Sequence, residues 1–170
     1  MNIGIIVVDA QKDFVTGCLG TKEARETVPK IAKFLETFKG EIIFTRDTHQ
    51  KDYLTTQEGK KLPIEHCVEN TDGWEIVDEL KPFINKNTKI FNKPTFGSVE
   101  LSKYLVERKF DKIIFVGFCT GICVISNVLY TKANLPETNI EVIERLCACV
   151  TPKSHNTAIE AMKLCQIDII

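Results

Sequence analysis

Histidine, tryptophan and methionine are scarce in this chain, with three, one and two copies among 170 residues. No apolar run is long enough to cross a bilayer, which excludes a membrane-spanning helix. No basic cluster stands out either. Lys and Arg total 22 against 23 Asp and Glu, for a net charge of -1. A nucleic-acid footprint or a polybasic membrane patch is therefore not expected. The start, Met1-Asn2-Ile3-Gly4-Ile5, enters strand-like sequence at once. It lacks the charged region and cleavage site of an export signal. Internal repeats and low-complexity segments are absent. Cysteine is not scarce, but its seven copies are odd in number and irregular in spacing. Cys119 and Cys123, four apart, do not have a zinc-ribbon spacing. The expectation is a reducing, cytoplasmic setting. Cys147, Cys149 and Cys165 read as small buried apolar residues.

What is present reads as one domain, residues 1–170, with an ordinary soluble composition: 44% hydrophobic and 26% charged. Apolar runs alternate with helical patterns. Strands are expected at Ile3–Asp9, Glu41–Arg46, Lys89–Asn92, Lys112–Phe118 and Ile140–Cys149, with a last one at Ile167–Ile170. Helices are expected at Val28–Phe38 (Pro29 in the first turn), Ser98–Lys109 (Ser98 as N-cap), Gly121–Asn134 and Ser154–Cys165. Alternation of this kind predicts an α/β fold, a mainly parallel sheet of about six strands covered on both faces. The stretch Thr48–Asn87 is irregular, with one short helix expected near Glu75–Leu80. Its length for a connection points to a functional role.

Parallel sheets bind ligands beyond the carboxyl ends of their strands. Asp9, Asp47, Lys93 and Cys123 all follow expected strands at that edge. Cys123 lies in Gly117-Phe118-Cys119-Thr120-Gly121-Ile122-Cys123-Val124, where a strand turns into a helix. A sulfur at the positive end of a helix is expected to have a lowered pKa and to serve as a nucleophile. Amides in that turn can form an oxyanion hole. Lys93, fixed in extended backbone by Pro94, can stabilise the thiolate and pair with Asp9. Taken singly, each of these residues also has an ordinary structural reading: a turn aspartate, a surface lysine, a core cysteine. Asp13 fits the turn or cap role better than Asp9.

Three segments together resemble the isochorismatase-like cysteine hydrolases, and within them the nicotinamidase branch. They are Asp9-Ala10-Gln11-Lys12-Asp13-Phe14, Lys93-Pro94-Thr95-Phe96-Gly97-Ser98 and Gly117 to Val124, in the family's order over essentially the whole chain. The resemblance implies a three-layer α/β/α fold with sheet order 3-2-1-4-5-6 and an Asp9–Lys93–Cys123 triad. It also implies a cis peptide between Phe118 and Cys119, with the amides of Cys119 and Cys123 as oxyanion hole. The implied reaction is hydrolysis of a small carboxamide, nicotinamide to nicotinate and ammonia. Phe14 and Phe96 would form flat apolar walls, with Trp74 and Tyr53 as further aromatic candidates.

Asp47-Thr48-His49 leaves the second strand, and residues two apart in extended chain share a face. His66 falls in the same irregular segment. Without the resemblance, loop histidines holding no metal are the alternative reading. With it, Asp47, His49 and His66 bind one divalent ion and Glu58 is the fourth ligand. Nitrogen and oxygen donors suit Zn²⁺, with Mn²⁺ or Fe²⁺ as alternatives. His155 reads as a helix-end residue. Two positions depart from the family pattern: Pro63 stands where an aromatic is common, and Thr120-Gly121 where Thr-Asp is. A non-pyridine carboxamide or carbamoyl substrate therefore stays open, as does a non-catalytic binding protein on the same scaffold. A homo-oligomer is compatible with the fold.

Overall fold

The computed structural model describes residues 1–170. Its centre is a six-stranded, all-parallel sheet of order β3-β2-β1-β4-β5-β6. The strands are β1 (Ile3–Val8), β2 (Glu41–Asp47), β3 (Lys89–Lys93), β4 (Lys112–Phe118), β5 (Asn139–Ala148) and β6 (Asp168–Ile169). The fold class and strand order are those expected from sequence. β1 shows why its run is continuously apolar. Ile5 and Val7 enter one core, Ile6 and Val8 the other, because side chains alternate across a sheet covered on both faces.

One core packs under α2 (Lys22–Thr37) through Ala24, Val28, Ile31 and Leu35. The opposite core packs under α4 (Val99–Arg108), α5 (Ile125–Asn134) and α6 (Pro152–Leu164). Short α1 (Lys12–Val15) and α3 (Gln57–Lys61) lie in the connections. No helix is long and apolar enough to cross a membrane.

Several boundaries differ from expectation. α2 begins at Lys22, because the Thr21 side chain accepts the Ala24 amide and caps it; Pro29 is thus inside the helix. Ser98 does cap α4, accepting the Leu101 amide at 3.1 Å. The expected helix from Gly121 is divided into one π-helical turn, Thr120–Val124, and α5. The expected helix near Glu75–Leu80 is replaced by two 3-10 turns, Asp72–Trp74 and Asp78–Phe83. Cys165 is exposed at the end of α6, so it does not belong to the core.

The carboxyl edge of the sheet is shaped by close backbone approach. Gly117 has φ +116°, and a Cβ there would lie 2.2 Å from the Val8 oxygen. Only glycine lets β4 pass β1 at this point. The Phe118–Cys119 peptide that follows is cis. Just past β1, Asp9 has φ 46°, an uncommon value for a non-glycine residue. Its amide is held by the Thr45 carbonyl and hydroxyl oxygens, both at 3.2 Å.

Candidate active site

Asp9, Lys93 and Cys123 arrive from the ends of β1, β3 and the turn after β4, and the structure brings them together. Lys93 Nζ lies 2.6 Å from Asp9 Oδ2 and 3.4 Å from Cys123 Sγ. It also donates to the Thr95 carbonyl at 3.1 Å and stands 3.7 Å from Asp47 Oδ1. The Lys93 and Asp9 side chains are fully buried. A buried ammonium is costly unless paired, and here one ammonium faces two carboxylates and a thiol. Burial works against the charged lysine, but Asp9, Cys123 and Asp47 outweigh it and raise its pKa.

Asp9 is pushed toward its neutral form. Burial is the largest influence and raises its pKa, opposed by Lys93 and by the Thr45 hydroxyl, which donates to Asp9 Oδ1 at 2.6 Å. Asp9 Oδ2 has the ionic contact with Lys93 and no other hydrogen-bond partner. It is the acceptor nearest in kind to the thiol proton.

The lowered thiol pKa expected from the sequence is not found. Burial raises the Cys123 thiol well above its ordinary value, and the Asp9 carboxylate adds to that; Lys93 opposes both without prevailing. Cys123 sits in the π turn ahead of α5 and is itself buried. At rest the group is a neutral thiol beside a carboxylate. The turn is held by Asn127, whose amide donates to the Cys123 carbonyl at 2.8 Å and the Phe96 carbonyl at 3.0 Å. Asn127 Oδ1 accepts the Ser98 amide at 2.9 Å. Cys119 precedes the turn, and its carbonyl accepts the Ile122 and Val124 amides at 3.0 and 3.1 Å.

Asp47, His49, Glu58 and His66 form a second cluster, with one donor atom from each within 4.8 Å of the others. His49 Nε2 is 3.0 Å and His66 Nε2 3.4 Å from Asp47 Oδ2. Glu58 Oε1 is 3.6 Å from His49 Nε2 and 3.8 Å from His66 Nε2. The His66 Nδ1–H donates to the Ile64 carbonyl at 2.7 Å. That leaves the Nε2 lone pair facing the cluster, the arrangement a ligating imidazole needs. Asp47 Oδ1 is buried without a hydrogen-bond partner. Burial and Asp47 raise the Glu58 pKa. Two crowded carboxylates, two imidazole nitrogens and an orphaned oxygen fit a divalent cation well.

Phe14 lies at the edge of this cluster, its ring centroid 5.6 Å from that of His66. Phe96 is in the loop after β3, 40% exposed. Tyr53 is fully buried, packed 4.6 Å from the His49 ring and 5.0 Å from the His66 ring. Trp74 lies under Arg46, whose guanidinium is 3.6 Å from the ring centroid, and its Nε1–H donates to Thr48. His155, at the start of α6, pairs through Nδ1 with the Thr120 hydroxyl at 2.7 Å.

Several supporting residues carry no chemical signal in sequence. Thr45 is an ordinary strand threonine until β1 and β2 pair. Gln11 brackets Asp47, accepting its amide at 2.7 Å and donating to its carbonyl at 2.8 Å. Asp13 caps no helix: its Oδ2 accepts the Cys67 amide at 2.8 Å and so holds the loop beside His66.

Comparison with known proteins adds to this geometry. Residues 4–170 match the isochorismatase domain family. The nicotinamidase of Schizosaccharomyces pombe is 28% identical, covering 98% of this chain and 91% of the relative. That of Saccharomyces cerevisiae is 25% identical over 71% of this chain and 76% of the relative. The crystal structure of the Pyrococcus horikoshii pyrazinamidase in complex with zinc superposes with a TM-score of 0.86. It is 26% identical and covers 100% of this chain and 99% of that one.

Proposed function

Since the chain belongs to the isochorismatase domain family, we propose that it is a hydrolase of small carboxamides, with nicotinamide as substrate and nicotinate and ammonia as products. The observation that carries this reading is one buried ammonium, Lys93, within reach of both Asp9 and Cys123. The nicotinamidases among its relatives support the choice of amide.

Asp9 takes the proton of the Cys123 thiol, and the thiolate attacks the carboxamide carbon. Transfer at the moment of attack is suited to a thiol that is neutral at rest. Lys93, within reach of both groups, stabilises the negative charge as it passes from Asp9 to Cys123. The oxyanion of the tetrahedral intermediate is held by the amides of Cys119 and Cys123. Asp9 returns its proton to the departing ammonia, and the C–N bond breaks to leave a Cys123 thioester. Asp9 then removes a proton from water, which attacks the thioester carbon. Cys123 leaves as thiolate, is reprotonated, and the carboxylate product is released. Asp47, His49, Glu58 and His66 would hold one divalent cation, Zn²⁺, Mn²⁺ or Fe²⁺ by donor type. When bound, the cation supplies a position for the substrate's ring nitrogen. Phe14, Phe96 and Tyr53 are the aromatic candidates beside it.

The test is ammonia release by the purified protein loaded with each metal in turn, across nicotinamide and non-pyridine carboxamides. Nicotinamide should be cleaved, and Cys123→Ala should lower the rate by at least about 10³-fold with fold and metal content unchanged. Cleavage of only a non-pyridine amide would replace the substrate. Release from no amide, or full activity in Cys123→Ala, would overturn the reading.

A further inference from the structure

The register of β4 on β5 pairs Gly117 with Cys147 and Phe118 with Ala148. One residue further along, Cys119 and Cys149 leave the two strands side by side. Neighbouring strands are about 4.8 Å apart, inside the roughly 4.4–6.8 Å Cα separation that a disulfide spans. All seven cysteines are free thiols, and the strand register sets these two at neighbouring strand ends, close enough for each thiol to perturb the other. The Gly121 amide also points at Cys149 Sγ, at 3.4 Å. The Cys149 position lines a cavity of about 330 Å³ shared with Arg145, Thr151 and His155. Cys149 is 3% exposed, and this cavity is the side from which a small peroxide would approach it.

We propose that Cys149 and Cys119 form a peroxide-oxidisable pair, a covalent modification site beside the turn that carries Cys123. Cys149 is the reactive partner. Donation from Cys119 is the largest influence on it, and together with Ser154 and the Gly121 and Val150 amides it overcomes burial to bring the thiol down to about 5. Cys119, the donor, is pushed far up and serves as the resolving thiol. A hydroperoxide is the oxidant. The Cys149 thiolate attacks one peroxide oxygen, the O–O bond breaks, and hydroxide (or alkoxide) leaves with the electron pair. Sulfur is oxidised by two electrons to a sulfenic acid. The Cys119 sulfur then attacks the Cys149 sulfur, the S–O bond breaks, and the Cys119 proton leaves with that oxygen as water. The product is a Cys119–Cys149 disulfide.

Hydrogen peroxide is the probe, with non-reducing peptide mapping and fragmentation as readout, so the outcome does not depend on activity. A Cys123→Ala chain removes the competing thiol on the same peptide. The Cys119–Cys149 link should form at least about tenfold faster than oxidation of exposed Cys18 or Cys165, because the thiolate is the reactive form. A dithiol should reverse it. Cys119→Ser should instead accumulate a Cys149 sulfenic acid trapped by dimedone, and this variant keeps the test open if Cys149→Ser fails to fold. Oxidation confined to Cys18 and Cys165, or a link joining Cys119 to any other cysteine, would overturn the proposal.

Discussion

Replacing Lys93 by methionine tests the electrostatic reasoning most directly. The change keeps the length of the side chain and removes one positive charge from a place with no solvent. Asp9 at 2.6 Å and Asp47 at 3.7 Å are then left without their shared counter-ion. Removing one partner of a buried pair costs about 3–5 kcal/mol. With a urea m-value of about 2 kcal/mol/M, the unfolding midpoint of the metal-free protein should fall by roughly 1.5–2.5 M at pH 7. The loss should shrink on acidification. Asp9 already has a folded-state pKa raised by burial, and losing Lys93 raises it further. The folded variant then holds a proton that the unfolded chain releases, so its stability rises as pH falls through the folded pKa toward about 4. Asp47 moves oppositely in the native protein. Burial opposes its charge, but hydrogen bonds from His49 and His66 and the charge of Lys93 hold its pKa well below the usual range. That contribution is present above about pH 4 and is lost only below it. Native and variant stabilities should therefore converge between pH 7 and pH 5. A loss under about 1 kcal/mol at pH 7, or a gap that does not narrow by pH 5, would refute the role given to this ammonium.

Three other replacements separate the remaining parts. Thr45→Val removes the hydroxyl that donates to Asp9 Oδ1; the acidic limb of the kcat/KM profile should move to higher pH, with kcat/KM reduced about 10- to 160-fold near neutrality, as expected for a charge-assisted bond worth about 1.5–3 kcal/mol. An unmoved limb would mean that Asp9 is not the titrating base. His49→Ala should abolish stoichiometric metal by elemental analysis and raise KM, because it deletes one of four clustered donors; unchanged metal content would remove it from the ligand set. Cys119→Ala should keep activity within about tenfold of native in ammonia release, since only the backbone amide is used; an inactive Cys119→Ala with an active Cys123→Ala would exchange their roles.

The parts of the fold legible in sequence are those set by periodicity. β1 and β4 are buried on both faces, so their apolar runs have one reading, and Ser98 caps α4 as its side chain allows. α2 was harder to bound. Three of its first four residues, Lys22, Glu23 and Arg25, are charged, and Pro29 imitates a helix start although the chain is already helical from Lys22. The π turn at Thr120–Val124 has no composition of its own; it is set by the pairing of β4 with its neighbours. At the site, charged residues at strand ends pointed to the shared edge, because topology alone sends them there. Protonation states were not legible. Burial decides that Cys123 is raised and a neighbouring thiol decides that Cys149 is lowered, and both depend on residues distant in sequence. Tyr53 is an aromatic candidate in sequence, but its packing against both His49 and His66 exists only once the irregular segment has wrapped back.

Gln11 has a consequence for how order spreads through the molecule. Its carboxamide, besides bracketing Asp47, donates to the Trp74 carbonyl at 2.9 Å, and its neighbours Ala10 and Lys12 exchange backbone hydrogen bonds with Val77 and Glu75. The long connection after β2 has little regular structure to hold it, so its shape comes from this seam together with the Asp13–Cys67 contact and the packing of Ile76, Val77 and Leu80 in the core. The half of the site that can hold a cation is thus stitched to the sheet through Gln11, and Lys93, 3.7 Å from Asp47 and 3.4 Å from Cys123, ties it to the half that holds the sulfur.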